Sequence, residues 1–349
     1  MKCTIQNIAD HLGLSRNTVS KALKNSSEVS ENTRNLVIKT ASKLGYKNAT
    51  FATPVIAASE TDSNGTILFL TRTYASDSEF WTTVLRGIES ILSNANYHLA
   101  ISIMSDSDLK QLNFPQTISD SSIKGIILVE ICDKVVCDAL SQFNLPIVSV
   151  DMPNVPFEEL NGIDVVTMES KKNLKKIINQ LIEKGAESFG FVGDLYSPNV
   201  SRGFHERYNA LSECLAEHQL PLNQKNCLLH QTPEDFRNFQ TTVNNLQAMI
   251  SLPDVFICGN DWTAIQLIYA LQFLGFQIPK DICVVGFDNI PAASRISPSL
   301  TTISTPQKYL GIAAARQILE RIQHPNCPHV FCQYETELII RNSTNIISF

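Results

Sequence analysis

From Gly65 to Phe287, short apolar runs alternate with helical patterns, and this alternation constrains the fold of the 349-residue chain more than any other feature. The runs at 66–71 (T-I-L-F-L-T), 99–103, 125–131 (G-I-I-L-V-E-I), 146–151 (P-I-V-S-V-D), 188–193, 254–258 and 282–287 (I-C-V-V-G-F) read as strands. The stretches near 79–95, 133–143, 170–184, 204–218, 236–250 and 261–274 read as helices. Strands that are apolar along nearly their whole length need cover on both faces, and strands separated by helices pair in parallel. About 285 residues of this pattern exceed one sheet, so the spacing predicts two doubly wound lobes. The default ligand site of such a body is the cleft at the carboxyl ends of the strands.

The first 47 residues follow another rule. Ile5, Ile8, Ala9 and Leu12 recur at the spacing of one helix face. Gly13 suits the left-handed stop after that helix, and Ser15 is a natural N-cap for a second. On the second helix Val19, Ala22 and Leu23 share one side. Arg16, Asn17, Ser20 and Lys21 lie within an arc of about 140° on the other. Ser30 caps a third helix, with Leu36, Val37, Thr40, Ala41 and Leu44 expected to turn inward and Gly45 to end it. The result is an all-α helix-turn-helix head with one basic, hydrogen-bonding face left bare.

That face suits DNA. Arginine can grip the O6 and N7 of guanine, and asparagine the N7 and N6 of adenine, from a helix in the major groove. Ser15, Thr18, Ser30, Thr33 and Arg34 would hold phosphates and so fix the register. Thr4, Asn25 and Tyr46 complete the expected DNA-contacting set. Residues 1–47 hold eight Lys/Arg against three Asp/Glu, +5 on a chain whose total is −6, which leaves −11 on the remainder. A basic head on an acidic body implies a polyanion partner at one end only.

With 44% hydrophobic and 18% charged residues, the chain has ample material for a core. No apolar run approaches the ~18 residues of a membrane span. The N-terminus begins directly on an amphipathic helix, so no signal peptide is expected and the predicted location is cytoplasmic. Nine cysteines, mostly within apolar runs such as those of Cys258 and Cys283, read as reduced, buried thiols. His324, Cys327, His329 and Cys332 have donor types that zinc accepts, but their spacing is not that of a finger, and no metal or cofactor is expected. A phosphate loop, a dinucleotide-binding glycine motif and a nucleophile elbow are all missing from the sequence, and its seven histidines form no catalytic constellation. A sugar-acting enzyme or a sugar receptor with a DNA-binding head is therefore the lesser alternative.

Over nearly its full length the chain resembles the lactose-repressor/galactose-repressor (LacI/GalR) family of bacterial transcription regulators. The head carries T-I-Q-N-I-A-D-H-L-G-L-S-R-N-T-V-S-K-A-L-K-N, close to the family signature. Further matches follow in order: Ile123–Leu128, Pro146–Asp151, Glu206 to Tyr208, Pro253–Asp261, Val284–Asp288, Pro298–Ile303 with Pro306 and Gly311, and Glu337 to Ile339 with Arg341 and Ser343. The resemblance implies a homodimer whose recognition helices read near-palindromic operator DNA. It also implies an α/β body like that of periplasmic binding proteins, with a sugar or related metabolite as effector. The expected organisation is a head at 1–47, a hinge at 48–64 and a two-lobed effector-binding and dimerisation body at 65–349.

Carried over by the resemblance, Arg16, Asn17 and Lys21 take the base-reading positions. Arg207, Asn260 and Asp288 take effector-contacting positions, and Asp151 lies near them. Carboxylates accept from hydroxyls, an amide donates and accepts, and arginine donates from a planar fork, so the set suits a polyol. Asn260 and Asp288 would equally serve to cap the turns or helices after their strands. Tyr74, Asp77 and Phe80 follow the first body strand and join the candidate site, as does Trp262.

The chain departs from the family pattern past Tyr46. Asn48 stands where the family has proline, Ala49 replaces asparagine, and Val55 replaces the leucine that wedges into the minor groove; Ala52 is kept. Pro54 would weaken the last turn of a hinge helix, and a smaller wedge unstacks bases less effectively. Met168 and Glu169 replace an Asp-Asn-type pair, and Ala210 a glycine. The expected function is sequence-specific repression of transcription, controlled by a small ligand that closes the two-lobed cleft. Without a heptad-bearing helix after Ser343, a tail-mediated tetramer is not expected.

Overall fold

The computed structural model describes residues 4–23, 29–30, 33–34, 36–37, 40–41, 63–72, 78–195, 202–230 and 238–344. The chain divides into two compact units, Met1–Asp62 and Ser63–Phe349. The expected hinge lies outside the described residues except for Ser63 and Asn64.

In the first unit, α1 (Ile5–Leu12) starts at Thr4, whose hydroxyl accepts from the Asn7 N–H at 3.3 Å while Asn7 Oδ1 accepts from the Thr4 N–H at 2.9 Å. Gly13 ends the helix at φ 62°, a conformation that glycine adopts without a Cβ clash. Helix α2 (Arg16–Leu23) starts at Ser15, which accepts from the Thr18 N–H at 3.0 Å. Among residues 33–41 the described positions 33, 34, 36, 37, 40 and 41 are helical. Ile8, Ala9, Val19, Ala22, Val29, Val37 and Ala41 form the core that holds these segments together. Leu36 departs from expectation. It is 51% exposed, because Val37, Thr40 and Ala41 already fill the inward face.

The second unit holds two six-stranded sheets. The first contains β1 (Gly65–Thr71), β2 (Tyr97–Ile103), β3 (Ile123–Val129), β4 (Ile147–Val150), β5 (Asp164–Met168) and β11 (Phe331–Tyr334), in the order β2-β1-β3-β4-β5-β11. All its pairs are parallel. The second contains β6 (Phe189–Asp194), β7 (Leu228–His230), β8 (Val255–Cys258), β9 (Cys283–Asp288), β10 (Thr301–Ser304) and β12 (Glu337–Ile339), in the order β7-β6-β8-β9-β10-β12. Here only β10 and β12 pair antiparallel. Both orders are doubly wound. Helices α3 (Glu79–Leu92), α4 (Asp106–Gln111), α5 (Lys134–Leu140) and α10 (Gln307–Gln323) serve the first lobe. Helices α6 (Lys172–Glu183), α7 (Arg202–Glu217), α8 (Phe239–Ala248) and α9 (Asp261–Phe273) serve the second.

Two lobes of this kind require the chain to cross between them, and it crosses at 169–171, 305–306 and 335–336. The last two crossings carry α10 and β11 back into the first lobe and return the chain to β12. Helices α10 and α3 meet so closely that a Cβ on Gly311 would lie 2.0 Å from the Val84 carbonyl oxygen and one on Gly87 2.2 Å from that of Lys308. Only glycine fits either side of that crossing. A buried ion pair anchors the other end of α10: Arg321, 5% exposed, holds Asp164, 0% exposed, at 2.8 Å.

Candidate nucleic-acid interface and ligand cleft

The two faces of α2 are sharply different. Val19 and Ala22 are 0% and 1% exposed, whereas Arg16 and Asn17 are exposed and Ser20 and Lys21 half-exposed. Burying the apolar side leaves the four polar residues outward, which is the condition for a base-reading helix. The expected phosphate contacts have structural duties as well. The Ser15 and Thr18 hydroxyls lie 2.8 Å apart, as do those of Ser30 and Thr33, and both serines cap helical turns. Arg34 reaches back to donate to the Val29 carbonyl at 3.0 Å. Asn25 and Tyr46 lie outside the described residues.

In the body, the carboxyl ends of the strands bring together Asp151, Arg207, Asn260 and Asp288. Arg207 is 3% exposed. Its guanidinium lies 3.6 Å from the ring centroid of Phe287 and 5.1 Å from that of Phe204, and its Nη1 donates to the Gly259 carbonyl at 2.7 Å. Burial pulls the Arg207 pKa down, against the fields of Asp288 and Asp151, which raise it. Asp288 ends β9 in left-handed backbone, φ 116°. Burial pushes its carboxyl well above the usual range; Arg207 opposes this, while Asp261 and Asp151 reinforce it. Its backbone carbonyl accepts from Gln307 Nε2 at 2.7 Å, which ties the site to the crossing at 305–306.

Asn260 caps α9 by accepting from the Thr263 N–H at 2.9 Å, which leaves Nδ2 as the donor half of its amide. Asp151, 8% exposed, stands in left-handed backbone at φ 85° and accepts from the Met152 N–H at 2.8 Å. Phe80 is buried edge-on against Trp81, with centroids 4.6 Å apart, and so belongs to the core behind the cleft. Trp262 is 40% exposed. Tyr74 and Asp77 lie outside the described residues. The two lobes touch at the Arg202 N–H, which donates to the Met152 carbonyl at 3.0 Å, and at the Ala292 N–H, which reaches Glu79 Oε2 at 3.4 Å.

Several residues of the site escape a sequence reading. Phe287 and Phe204 look like ordinary core residues until Arg207 stacks between them. Asp261, fully buried, accepts from the Thr302 hydroxyl at 2.5 Å and the Ile290 N–H at 2.9 Å, which fixes the loop that carries Asp288. Burial pushes its carboxyl up to about 7. Glu130 was expected inside a strand, but β3 stops at Val129, and Glu130 turns into left-handed backbone at φ 58°. Trp81 Nε1 donates to its Oε1.

The histidine and cysteine cluster has a different role. Arg321 donates to the carbonyls of Pro325, Cys327 and Pro328, and His329 Nδ1 lies 3.3 Å from Asp164 Oδ1. Arg321, His324, Cys327, Pro328 and His329 line a cavity of about 290 Å³. Among the described residues, no three of its side chains come together as metal ligands.

Residues 4–48 match the lacI family of bacterial regulatory proteins, and residues 178–344 match the periplasmic binding protein-like domain. The ribose operon repressor of Haemophilus influenzae is 27% identical over 345 residues, which cover 97% of this chain and 98% of that protein. The chain therefore combines a lacI-family DNA-binding domain with a periplasmic binding protein-like domain. A LacI family regulator from Enterococcus faecium with bound ribose is 25% identical and superposes with a TM-score of 0.66, covering 81% of this chain and 100% of that one. The lac repressor dimer bound to operator and an anti-inducer shares the fold at a TM-score of 0.67 and 18% identity, covering 99% of each chain. Among the described residues, no helix is long and apolar enough to cross a membrane.

Proposed function

We propose that the protein is a cytoplasmic, homodimeric repressor of transcription that reads a near-palindromic operator and is controlled by a sugar-like effector. The observation that carries the reading is the exposed Arg16, Asn17, Ser20 and Lys21 face of α2 in a chain whose body also gathers Asp151, Arg207 and Asp288 between two lobes. Arg16, Asn17 and Lys21 read base edges, while Thr4, Ser15, Thr18, Ser30, Thr33 and Arg34 meet phosphates. Arg207, Asp288, Asp151 and Asn260 hold the effector, whose hydroxyls bridge carboxylates of both lobes. Binding favours one arrangement of the lobes only as far as the ligand contacts differ between arrangements.

The dimer surface proposed in the second lobe is an apolar stripe. Trp262, Tyr269 and Phe273 are 40%, 43% and 68% exposed and, with Tyr269 and Phe273 seven and eleven residues after Trp262, lie within an arc of about 40° on α9. Phe239 stacks edge-on against Phe273 at 5.8 Å and extends the patch. Contiguous exposed apolar surface of this kind marks an interaction site. On this reading Trp262 serves the partner copy more than the effector.

Selection from random duplex DNA with the purified full-length protein tests the reading. The expected product is a near-palindrome with two half-sites related by a two-fold axis. Enrichment of no sequence would overturn the proposal.

A further inference from the structure

Three acidic residues stand at the carboxyl ends of parallel strands in left-handed backbone: Glu130 at φ 58° after β3, Asp151 at φ 85° after β4, and Asp288 at φ 116° closing β9. Strand order reverses between β1 and β3 in the first sheet, so Glu130 stands at the point where open α/β sheets bind ligands. Trp81 fixes its carboxylate from behind. β3 and β4 are neighbouring parallel strands with Val129 opposite Val150, so Glu130 and Asp151 follow side by side at their carboxyl ends. Asp151 in turn acts on Arg207 and Asp288 of the other lobe.

The cations nearby are already engaged. Arg72 pairs with Asp106 at 2.6 Å, and Arg202 with Glu206 at 2.8 Å. Arg207 has committed Nη1 to Gly259, yet its Nε is buried with no hydrogen-bond partner in a side chain only 3% exposed. The Thr263 hydroxyl, in a residue 4% exposed beside Asn260, is buried without a partner as well. Two polar groups beside the site are therefore buried without a hydrogen-bond partner.

We propose that Glu130 is a third carboxylate of the effector site, and that the site takes a donor-rich polyol without negative charge, neutral or amino-substituted, and rejects phosphorylated and carboxylated counterparts. The proposal rests on the effector-controlled reading above. A carboxylate only accepts hydrogen bonds, so Glu130 and Asp151 select hydroxyl and ammonium donors, while the burial that raises Asp288 favours its neutral form, which accepts and also donates one bond. An anionic group would meet like charges in a partly desolvated cleft, and one engaged arginine cannot compensate them.

The test is calorimetric titration of the full-length protein, with its melting temperature followed in parallel. The probes are the common D-hexoses and D-pentoses, their 2-amino-2-deoxy forms, their terminal phosphates and their uronates. The tightest probe is expected to be neutral or amino-substituted, with its anionic counterpart at least about tenfold weaker. Glu130→Gln is expected to weaken that probe and to narrow the gap to the anionic one. If that variant does not fold, Trp81→Phe removes the donor that orients the carboxylate and is expected to weaken the same probe. An anionic probe that binds more tightly than its parent overturns the charge claim. An unchanged gap in a folded Glu130→Gln protein removes Glu130 from the site. A panel in which no probe of any charge shifts the melting temperature overturns the sugar-effector reading itself.

Discussion

The Arg207 guanidinium lies 3.6 Å from the centroid of the Phe287 ring, and Phe287 is the residue immediately before Asp288. One strand end therefore supplies both the surface on which the cation stacks and the acid that offsets its charge. Stacking and the bond to Gly259 hold the planar fork in place while water is excluded, so the cost of ordering it is met before any ligand arrives.

Lysine cannot reproduce that plane. Arg207→Lys is expected to weaken effector binding by about 1.5–3 kcal/mol, the worth of a charged hydrogen bond. Titration calorimetry against the preferred monosaccharide measures this, and an unchanged affinity would take Arg207 out of the site.

On the DNA side, Arg16→Ala and Lys21→Ala are expected to cost about 1–3 kcal/mol on the selected operator and markedly less on random duplex. Equal losses on both would assign these residues to phosphates alone.

Asp261 gives the fold a pH dependence of definite sign. Its pKa is about 7 in the folded protein and 3.8 as a free group, so the native state holds a proton that the unfolded chain releases. Its contribution is greatest at low pH, declines as pH rises toward the folded value, and is gone above it. Asp261→Asn, which mimics the protonated form, is expected to flatten stability between about pH 5 and about pH 8, where the parent loses a few kcal/mol. Denaturant unfolding at both pH values measures the difference, and parallel losses in parent and variant would refute the assignment.

Arg321→Ala leaves Asp164 buried without its guanidinium partner, with Gln317, the Val330 N–H and His329 as its remaining contacts. It is expected to destabilise the body by about 3–5 kcal/mol, read from the same unfolding curves. A change under 1 kcal/mol, roughly the worth of a surface pair, would show that the ion pair anchors nothing.

Charges placed on the α9 stripe should separate the copies. Tyr269→Asp with Phe273→Asp is expected to yield a monomer by sedimentation where the parent sediments as a dimer. A double variant that stays dimeric would move the interface elsewhere.

Much of this architecture was legible in the residues. Periodicity located α1, α2 and seven of the strands (β1, β2, β3, β4, β6, β8 and β9) because burial on one or both faces leaves a direct mark on the sequence. β5 (D-V-V-T-M) is mixed in polarity, β7 and β12 have three residues each, and Ala313, Ala314 and Ala315 blur the pattern of α10. Asp151 and Asp288 could be picked out as acids at strand ends. Glu130 could not, since its left-handed turn is set by tertiary context, and of Arg207's aromatic partners Phe204 lies one helical turn away whereas Phe287 is distant in sequence.

Control of DNA binding by the cleft is the central claim, and linkage tests it most directly. The preferred monosaccharide's Kd is measured on free and operator-bound protein, and the operator's Kd on free and ligand-saturated protein. The account predicts one shared factor, between about 5 and about 150. A factor of unity in both directions, with the ligand demonstrably bound, would contradict it.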